Sequence, residues 1–284
     1  MEEGVISRLS KLDGRWFLGG SHLTLLIVSI FYFNLARSPF QIVTAYAAAI
    51  LVELALHRIT GKTKHRSAWD VIFSAATEAA GLLILVKLPN PYAYAMMSAV
   101  AVASKYFLRI DEKRHAFNPT NFAIVAALIF TPNELIEIRP DEFNLTYYAI
   151  GHVIFFGVFA VILGKTWRVA AAYFCSILLF SGLFSIVERE SWIYFLGPEI
   201  GAIGMVFMFL MITDPKTTPK SNEMQIVYGV SVGLFLYILR YFEVFYAHFL
   251  ALFIVTLLRA VFLLLEADTW KIPLLNRRPL EPQK

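Results

Sequence analysis

Residues 205–219 read MVFMFLMITDPKTTP, a strongly apolar run that ends at a break with two prolines, three hydroxyl side chains and one carboxylate. Proline removes a backbone donor and stops a helix from continuing, so the pattern predicts an apolar helix that ends at this break. The hydroxyls and the carboxylate are expected either to satisfy the freed backbone groups or to ligate a cation or a cofactor. An ordinary turn is the alternative interpretation. The candidate residues are Thr213, Asp214, Thr217 and Thr218.

The composition of the whole chain agrees with a membrane environment. Hydrophobic residues make up 58% of the 284 residues and charged residues only 16%, whereas a soluble domain has about 25% charged residues. The aromatic content excludes a disordered chain, and the single cysteine, Cys175, excludes a disulfide scaffold. We therefore predict an all-α integral membrane protein embedded in the lipid bilayer, with its function at or inside the bilayer.

Ten apolar segments predict about ten transmembrane helices. The fifth has only 13 residues, or about 20 Å of helix, which is too short to cross the hydrocarbon layer. This short helix is expected either to start within the bilayer or to extend into polar sequence. The segments are 16–35, 39–56, 68–88, 91–108, 119–131, 145–164, 168–187, 192–213, 224–240 and 244–265.

The positions of the basic residues predict the topology. Of the 25 Lys and Arg residues, 20 fall in the termini and in every second loop, and each remaining loop holds one. Because cytoplasmic loops carry the excess of Lys and Arg, both termini are predicted to be cytoplasmic. The net charge of +4 is then an orientation signal, and no nucleic-acid partner is expected.

Ten spans divide into two sets of five, and an odd repeat unit must insert in opposite orientations. Residues 20–23 (GSHL) and 150–153 (IGHV) open corresponding segments, and segments 3 and 8 end at proline-rich breaks on opposite sides. We therefore predict two inverted five-helix repeats. The predicted parts are a cytoplasmic N-terminal segment 1–15, a first repeat 16–131, an external loop 132–144, a second repeat 145–266 and a cytoplasmic tail 267–284.

Residues 117–121, FNPTN, open the short fifth segment. Asn118 is a favourable N-cap and Pro119 suits the first helical position. If this helix starts inside the membrane, its free N–H groups face a cavity and can bind a phosphate, a carboxylate or the oxygen of a reduced quinone or flavin. We count Asn118 and Asn121 as candidates, with a capped helix at the cytoplasmic surface as the alternative.

Four carboxyl residues lie inside apolar segments, namely Glu53, Asp70, Glu78 and Glu199. Charges at this depth are costly and usually face the protein interior or a water path. They are the candidates for a proton or Na⁺ pathway. In the alternative interpretation, Asp70 lies at the interface and the glutamates make structural hydrogen bonds.

Four histidines are candidates for haem ligation. His22 and His57 lie toward the predicted inside, and His152 and His248 toward the outside, so that each pair could hold one haem iron. Structural hydrogen bonding is the alternative. One cysteine cannot build an iron–sulfur cluster alone and the sequence contains no zinc motif, so no other metal site is predicted.

These stretches together resemble the RnfD/NqrB family of membrane electron-transport subunits. The resemblance rests on residues 70–89, 117–121 and 211–219, which match the family's Asp-led third span, its FNP segment and its TDPxTxP segment. Residues 104–106 and 114–119 resemble in particular the stand-alone branch that includes UnbU-type proteins.

The resemblance implies ten helices in two inverted repeats, as in urea transporters, and a flavin that moves electrons in a process coupled to Na⁺ or H⁺. Family members attach FMN covalently through a Ser-Gly-Ala-Thr motif, which is missing from residues 122–212. Covalent FMN is therefore not expected, and a noncovalent FMN or riboflavin, or no flavin, stays open. Residues 74–77 (SAAT) are interpreted as a helix-packing face.

The first hypothesis is an electron-transfer subunit of a bacterial inner-membrane complex, linked to flavin or quinone and dependent on other membrane or redox subunits. The chain itself would be at most one subunit of an ion-translocating oxidoreductase. Two alternatives stay open: a channel or transporter for a small polar solute that uses the same cavity, and a scaffold subunit without its own chemistry.

Overall fold

The computed structural model describes residues 14–32, 35–60, 67–88, 90–111, 114–130 and 146–267. These ranges form helices and no extended strand, apart from an isolated bridge between Arg109 and His115. The predicted external loop 132–144 lies outside the described residues, as do 1–13 and 268–284 of the predicted termini. The helices are α1 Gly14–Phe31, α2 Pro39–Ile59, α3 Ala68–Leu85, α4 Pro91–Phe107, α5 Pro119–Phe130, α6 Thr146–Leu163, α7 Trp167–Glu188, α8 Trp192–Ile200, α9 Ala202–Val206 with a π-helical continuation Phe207–Met211, α10 Asn222–Tyr241 and α11 Ala247–Ala267.

Short polar residues and prolines set the helix starts. Ser38 and Ser67 each form a capping box, in which the serine side chain accepts from the third helical residue and that residue's side chain accepts from the cap N–H. The Asn90 side chain caps α4 by accepting from the Tyr92 N–H, and Ser221 caps α10. Proline occupies the first position of α2, α4 and α5, where no N–H is needed.

The apolar helices are those of a multi-pass membrane protein. Five of them, α2, α3, α7, α10 and α11, are long and apolar enough to cross a membrane, and the bent unit from Trp192 to Met211 makes a sixth candidate. Large apolar side chains such as Phe155, Ile186 and Phe262 point outward, where lipid rather than water is expected to meet them. The all-helical membrane class is therefore confirmed.

One predicted segment, 192–213, is broken rather than continuous. Its two parts, Trp192–Ile200 and Ala202–Met211, are inclined by 55°. Pro198 lies inside α8, and Gly201 between the two parts has extended backbone with ψ of 175°. A proline that removes a donor, followed by an extended glycine, ends the hydrogen-bond ladder at this point.

The packing follows the same pattern in both halves of the described chain. In the first half α2 packs against α4, and in the second half α7 packs against α10. Between the halves, α1 packs on α6 and α5 packs on α11. The first helices of the two halves therefore pack against each other, and so do the last helices.

The break after α3 shows how a helix end is satisfied in an apolar environment. The Tyr94 hydroxyl donates to the Val86 carbonyl at 2.7 Å and accepts from the Leu88 N–H at 3.2 Å. The Arg37 Nε donates to the Leu83 carbonyl at 3.0 Å. Unpaired backbone groups cost several kcal/mol in hydrocarbon, so these side chains allow the helix to stop here.

Candidate functional site

The two proline-containing breaks predicted from the sequence meet in the structure. The His115 N–H donates to the Lys216 carbonyl at 3.2 Å, and the Asn118 Nδ2 donates to the Met211 carbonyl at 3.4 Å. These contacts join the connection that precedes α5 to the segment that follows the π-helical turn. Residues 115–119 and 211–216 thus form one surface, although they lie almost 100 positions apart.

A cavity of about 90 Å³, lined by polar and apolar side chains, opens on this surface. It lies between α1, α3, α4, the start of α5 and the end of the π-helical turn. Asn118 and Asp214, two of the predicted cofactor residues, line it together with Asp70 and Glu78 from the predicted ion pathway. The cavity therefore brings together residues that the sequence analysis had assigned to two separate functions.

A buried lysine at the wall of the cavity contacts two carboxylates. The Lys105 Nζ lies 2.6 Å from Glu53 Oε2 and 3.8 Å from Glu78 Oε1, and it donates to the Ser74 hydroxyl at 3.0 Å. The side chains of Lys105 and Glu53 are 4% and 2% exposed, whereas Glu78 is 15% exposed and faces the cavity. Two carboxylates against one lysine leave this group one negative charge in excess when all three are ionised.

A hydroxyl group also donates a hydrogen bond to each of the two carboxylates. The Thr120 hydroxyl, in the first turn of α5, donates to Glu78 Oε2 at 2.7 Å. The Tyr106 hydroxyl donates to Glu53 Oε1 at 2.9 Å. Each carboxylate therefore has one cation and one neutral hydrogen-bond donor beside it. These partners offset the cost of burying its negative charge.

The other predicted cofactor residues satisfy backbone groups. The Thr213 hydroxyl donates to the Phe209 carbonyl at 2.6 Å, and the Thr217 hydroxyl donates to the Asp214 carbonyl at 3.2 Å. The Thr218 N–H donates to the same Asp214 carbonyl at 3.0 Å. Asn121 donates from Nδ2 to the Phe249 carbonyl at 3.1 Å. These four residues shape the break and the start of α5.

A second buried charge cluster surrounds Glu199 in the other half of the chain. Glu199 Oε1 lies 2.9 Å from Arg240 Nη1, and its Oε2 lies 2.8 Å from His248 Nε2. The Tyr173 hydroxyl donates to Oε2 at 3.3 Å. The Glu199 side chain is fully buried, whereas 14% of His248 and 24% of Arg240 are exposed.

The remaining predicted residues occupy separate places. Asp70 closes the capping box of α3 with Ser67 as well as lining the cavity. His22 lines the cavity, and its Nδ1 lies 2.8 Å from the Leu18 carbonyl. His57 is buried on α2, and His152 contacts the Thr24 hydroxyl of α1 at 3.1 Å. No group of three or more His, Cys, Asp or Glu suited to a metal ion occurs within the described ranges.

The sequence model of the NQR2, RnfD, RnfE family matches residues 147–262. Over these residues the chain is similar to that family, and the match covers less than half of the chain. The match covers the Glu199 cluster and the break at 213–219, and the residues from the first half that line the cavity lie outside it. No curated protein matches the chain.

The lining of the cavity combines the carboxylates of Asp70, Glu78 and Asp214 with the ammonium groups of Lys105 and Lys216. The carboxylate, hydroxyl and amide oxygens of this lining suit a small hard cation or a proton.

Two residues of these charge clusters were not predicted as site residues. Lys105 and Arg240 were both counted among the loop cations that set the topology. The structure places each of them near the end of a helix, with its charge turned inward onto a buried glutamate. The available signal was that Lys105 falls inside the apolar segment 91–108, where a charge requires a partner.

His115 gives a prediction for the pH dependence of stability. The pKa of His115 lies well below its usual 6.5, and burial is the largest cause. The positive charges of Lys216, Lys105 and Arg109 lower it further. The folded chain therefore keeps His115 neutral while the unfolded chain takes up a proton below about pH 6.5. This contribution to stability is fully present above that pH and is lost as the pH falls, by about 1.4 kcal/mol per pH unit.

Thermal unfolding in detergent between pH 5 and 8 checks this expectation. His115→Gln keeps the polar side chain and removes the titration, so its stability should fall less steeply with acid than that of the unsubstituted chain. Identical slopes for the two proteins would contradict the buried, neutral state of His115.

Proposed function

We propose that the chain is an integral-membrane subunit of an ion-coupled electron-transport complex, and that its cavity takes up Na⁺ or a proton. The observation that carries the proposal is the cluster of Glu53, Glu78 and Lys105, of which Glu78 and Lys105 line the cavity. Its excess negative charge is neutralised when one cation or proton binds at Glu78, the carboxylate that faces the cavity. Ionisable groups inside membrane helices mark ion pathways.

The family match supports the electron-transport part of the proposal. The NQR2, RnfD, RnfE family suggests a membrane subunit of an electron-transport complex. In this proposal, partner subunits supply the electron donor and acceptor, and a quinone is reduced outside this cavity. Residues 104–106 and 114–119 favour the stand-alone UnbU-like branch of the family.

The arrangement of the helices supports two inverted five-helix repeats. The pairs α2–α4 and α7–α10 pack in the same way, and α1–α6 and α5–α11 join the halves. With both termini in the cytoplasm of a bacterial cell, as the basic residues predict, the cavity opens on the cytoplasmic side because His115 and Lys216 belong to predicted cytoplasmic connections.

The test uses the assembly purified in mild detergent from native membranes through a tag on this chain. We expect flavin, haem or iron–sulfur absorbance from partner subunits, and electron transfer to a quinone. After reconstitution into liposomes, turnover should drive either ²²Na⁺ uptake or acidification of the lumen, and a protonophore separates the two. Glu78→Gln should reduce the ion movement by about tenfold or more, the effect of a lost charged group in the path.

Glu223→Gln is the matched control, because Glu223 is an exposed carboxylate in the first turn of α10. It should leave the ion movement unchanged. A coloured assembly that turns over without moving either ion would overturn the coupling. A colourless preparation that equilibrates a neutral polar solute would overturn the electron-transport role and support the transporter alternative.

A further inference from the structure

A groove runs along the outer side of α7 and α10 in the second half of the chain. Its volume is about 420 Å³, and most of its lining is apolar. Leu179 and Ile226 in its walls are 58% and 49% exposed, so the groove opens away from the protein core, toward the expected lipid. Its long apolar part is lined by Ala171, Cys175 and Leu179 from α7 and by Ile226 and Val230 from α10.

The groove exists because α7 and α10 approach each other closely. An added Cβ at Gly229 of α10 would lie 2.7 Å from the Val169 carbonyl oxygen and 3.0 Å from the Ala172 Cβ. An added Cβ at Gly233 would overlap the Ser176 hydroxyl. Small residues let the two backbones come together, so the floor of the groove, which includes Ala172 and Ser176, lies below the larger side chains beside it.

The length of the groove corresponds to the depth of one lipid leaflet. Along α7 its lining extends from Trp167 to Leu179, which is about 18 Å of helix. The hydrocarbon of one leaflet is about 15 Å thick, half of the bilayer core. The lining of an empty groove would lose its dispersion contacts. An acyl chain that lies along the helix restores those contacts over the whole length.

The end of the groove at the start of α7 is basic. The Arg168 guanidinium lies over the Trp167 ring, 4.5 Å from its centre, and both residues line the groove. Within the described ranges no hydrogen bond or ion pair holds the Arg168 side chain. Lys165 and Lys220, each two residues before a helix start, are exposed, and Glu223 is the carboxylate in the first turn of α10. The starts of the two helices thus carry three cations and one carboxylate.

We infer that the groove holds one anionic phospholipid, with an acyl chain along α7 and α10 and its phosphate at the Arg168 guanidinium. A guanidinium presents its N–H groups in a planar fork that bonds phosphate oxygens in pairs. The Trp167 ring keeps it at the end of the groove by stacking. Basic pockets between membrane helices on the cytoplasmic side bind anionic headgroups, and both helix starts belong to predicted cytoplasmic connections.

The charge at the end of the groove favours a phospholipid over an apolar helix of a partner subunit. Such a helix would fill the apolar part but would leave the Arg168 guanidinium without a counter-charge. The positive dipole ends of α7 and α10 lie at the same end and add to the attraction for a phosphate. The inference requires only that the chain lies in a membrane, so it does not depend on the proposed ion-coupled electron transport.

Native mass spectrometry of the full-length chain tests the site, after release from nanodiscs with equal amounts of phosphatidylglycerol and phosphatidylcholine. We expect one retained phosphatidylglycerol per chain, in preference to phosphatidylcholine. Arg168→Gln should lower the affinity for phosphatidylglycerol about fivefold, the factor for one basic residue near an anionic membrane surface. Arg58→Gln is the matched control and should retain the lipid, because Arg58 is an exposed cation in the last turn of α2, away from the groove.

Ala171→Phe tests the acyl-chain part of the site. Ala171 is exposed within the groove, so the ring fills the groove without entering the protein core, and the retained lipid should be lost although Arg168 is intact. Leu183→Phe, at an exposed position of α7 outside the groove, should keep the lipid.

Three results would overturn the phospholipid site. The first is equal retention of the two phospholipids by the unsubstituted chain. The second is undiminished retention of phosphatidylglycerol in Arg168→Gln or in Ala171→Phe. The third is a lipid that binds the isolated chain but is absent from the assembly purified from native membranes, which would assign the groove to a partner subunit. None of these measurements involves turnover, so a failure of ion transport remains a separate result.

Discussion

Lys105→Met is expected to lower the free energy of unfolding by about 3–5 kcal/mol, the cost of removing one partner from a buried ion pair. Methionine has a similar volume, so the change removes the charge rather than the packing. Glu53, only 2% exposed, then loses a cation at 2.6 Å, and Glu78 loses one at 3.8 Å. An orphaned carboxylate can take up a proton instead, so the loss should be smaller at pH 5 than at pH 8.

Titration with SDS in mixed micelles, followed by circular dichroism, measures the loss. Lys220→Met is the control, because Lys220 is exposed at the start of α10, and it should change stability by less than about 0.5 kcal/mol. Combining Lys105→Met with Glu53→Gln should restore part of the stability, since it removes the orphaned charge. A loss below about 1 kcal/mol for the single substitution would contradict the buried ion pair.

The helix positions could be predicted from the sequence because the apolar runs and the capping residues indicate the same helix starts. The predicted segment 39–56 corresponds to Pro39–Ile59, and the predicted short segment 119–131 corresponds to the 12-residue helix Pro119–Phe130. In both cases a proline at the first helical position defines the start. A start of α5 inside the bilayer and a start at its surface were the two interpretations, and both stay predictions, with Asn118 and Asn121 buried within the protein.

The bend in the segment 192–213 was not predicted, because Pro198 and Gly201 do not by themselves require one. Pro198 and Gly201 alone are tolerated in straight membrane helices when neighbouring groups satisfy the backbone. Here α9 folds back so closely that Gly204 lies against the backbone of Glu199. Hydropathy averages over the break and reports a single apolar span.

Of the ion pairs in the two charge clusters, only the acidic partners were predicted as ion-pathway residues. Glu53, Glu78 and Glu199 were recognised because a carboxylate inside an apolar run is conspicuous. Lys105 and Arg240 lie near helix ends, where a basic residue normally faces the interface and signals orientation. Periodicity cannot show that such a side chain turns back into the protein, since that depends on which glutamate the neighbouring helix places beside it.

Gly204→Ala should have the second large effect, at about 3 kcal/mol of destabilisation, the upper range for overpacking a close contact. An added Cβ would overlap the Glu199 carbonyl oxygen and lie 2.8 Å from the Glu199 Cα. Backbone atoms cannot rotate away as a side chain does, so the bend between α8 and α9 would have to open. The opening moves Glu199 away from Arg240 and His248.

Gly197→Ala is the matched control within the same broken span, because nothing lies within 4 Å of an added Cβ at that position. Alanine also favours a helix over glycine by about 1 kcal/mol, so this variant should be as stable as the unsubstituted chain or slightly more stable. SDS titration compares the two variants. Equal stability of Gly204→Ala and Gly197→Ala would show that Gly204 does not lie against the Glu199 backbone. That result would contradict the close bend that positions the second cluster.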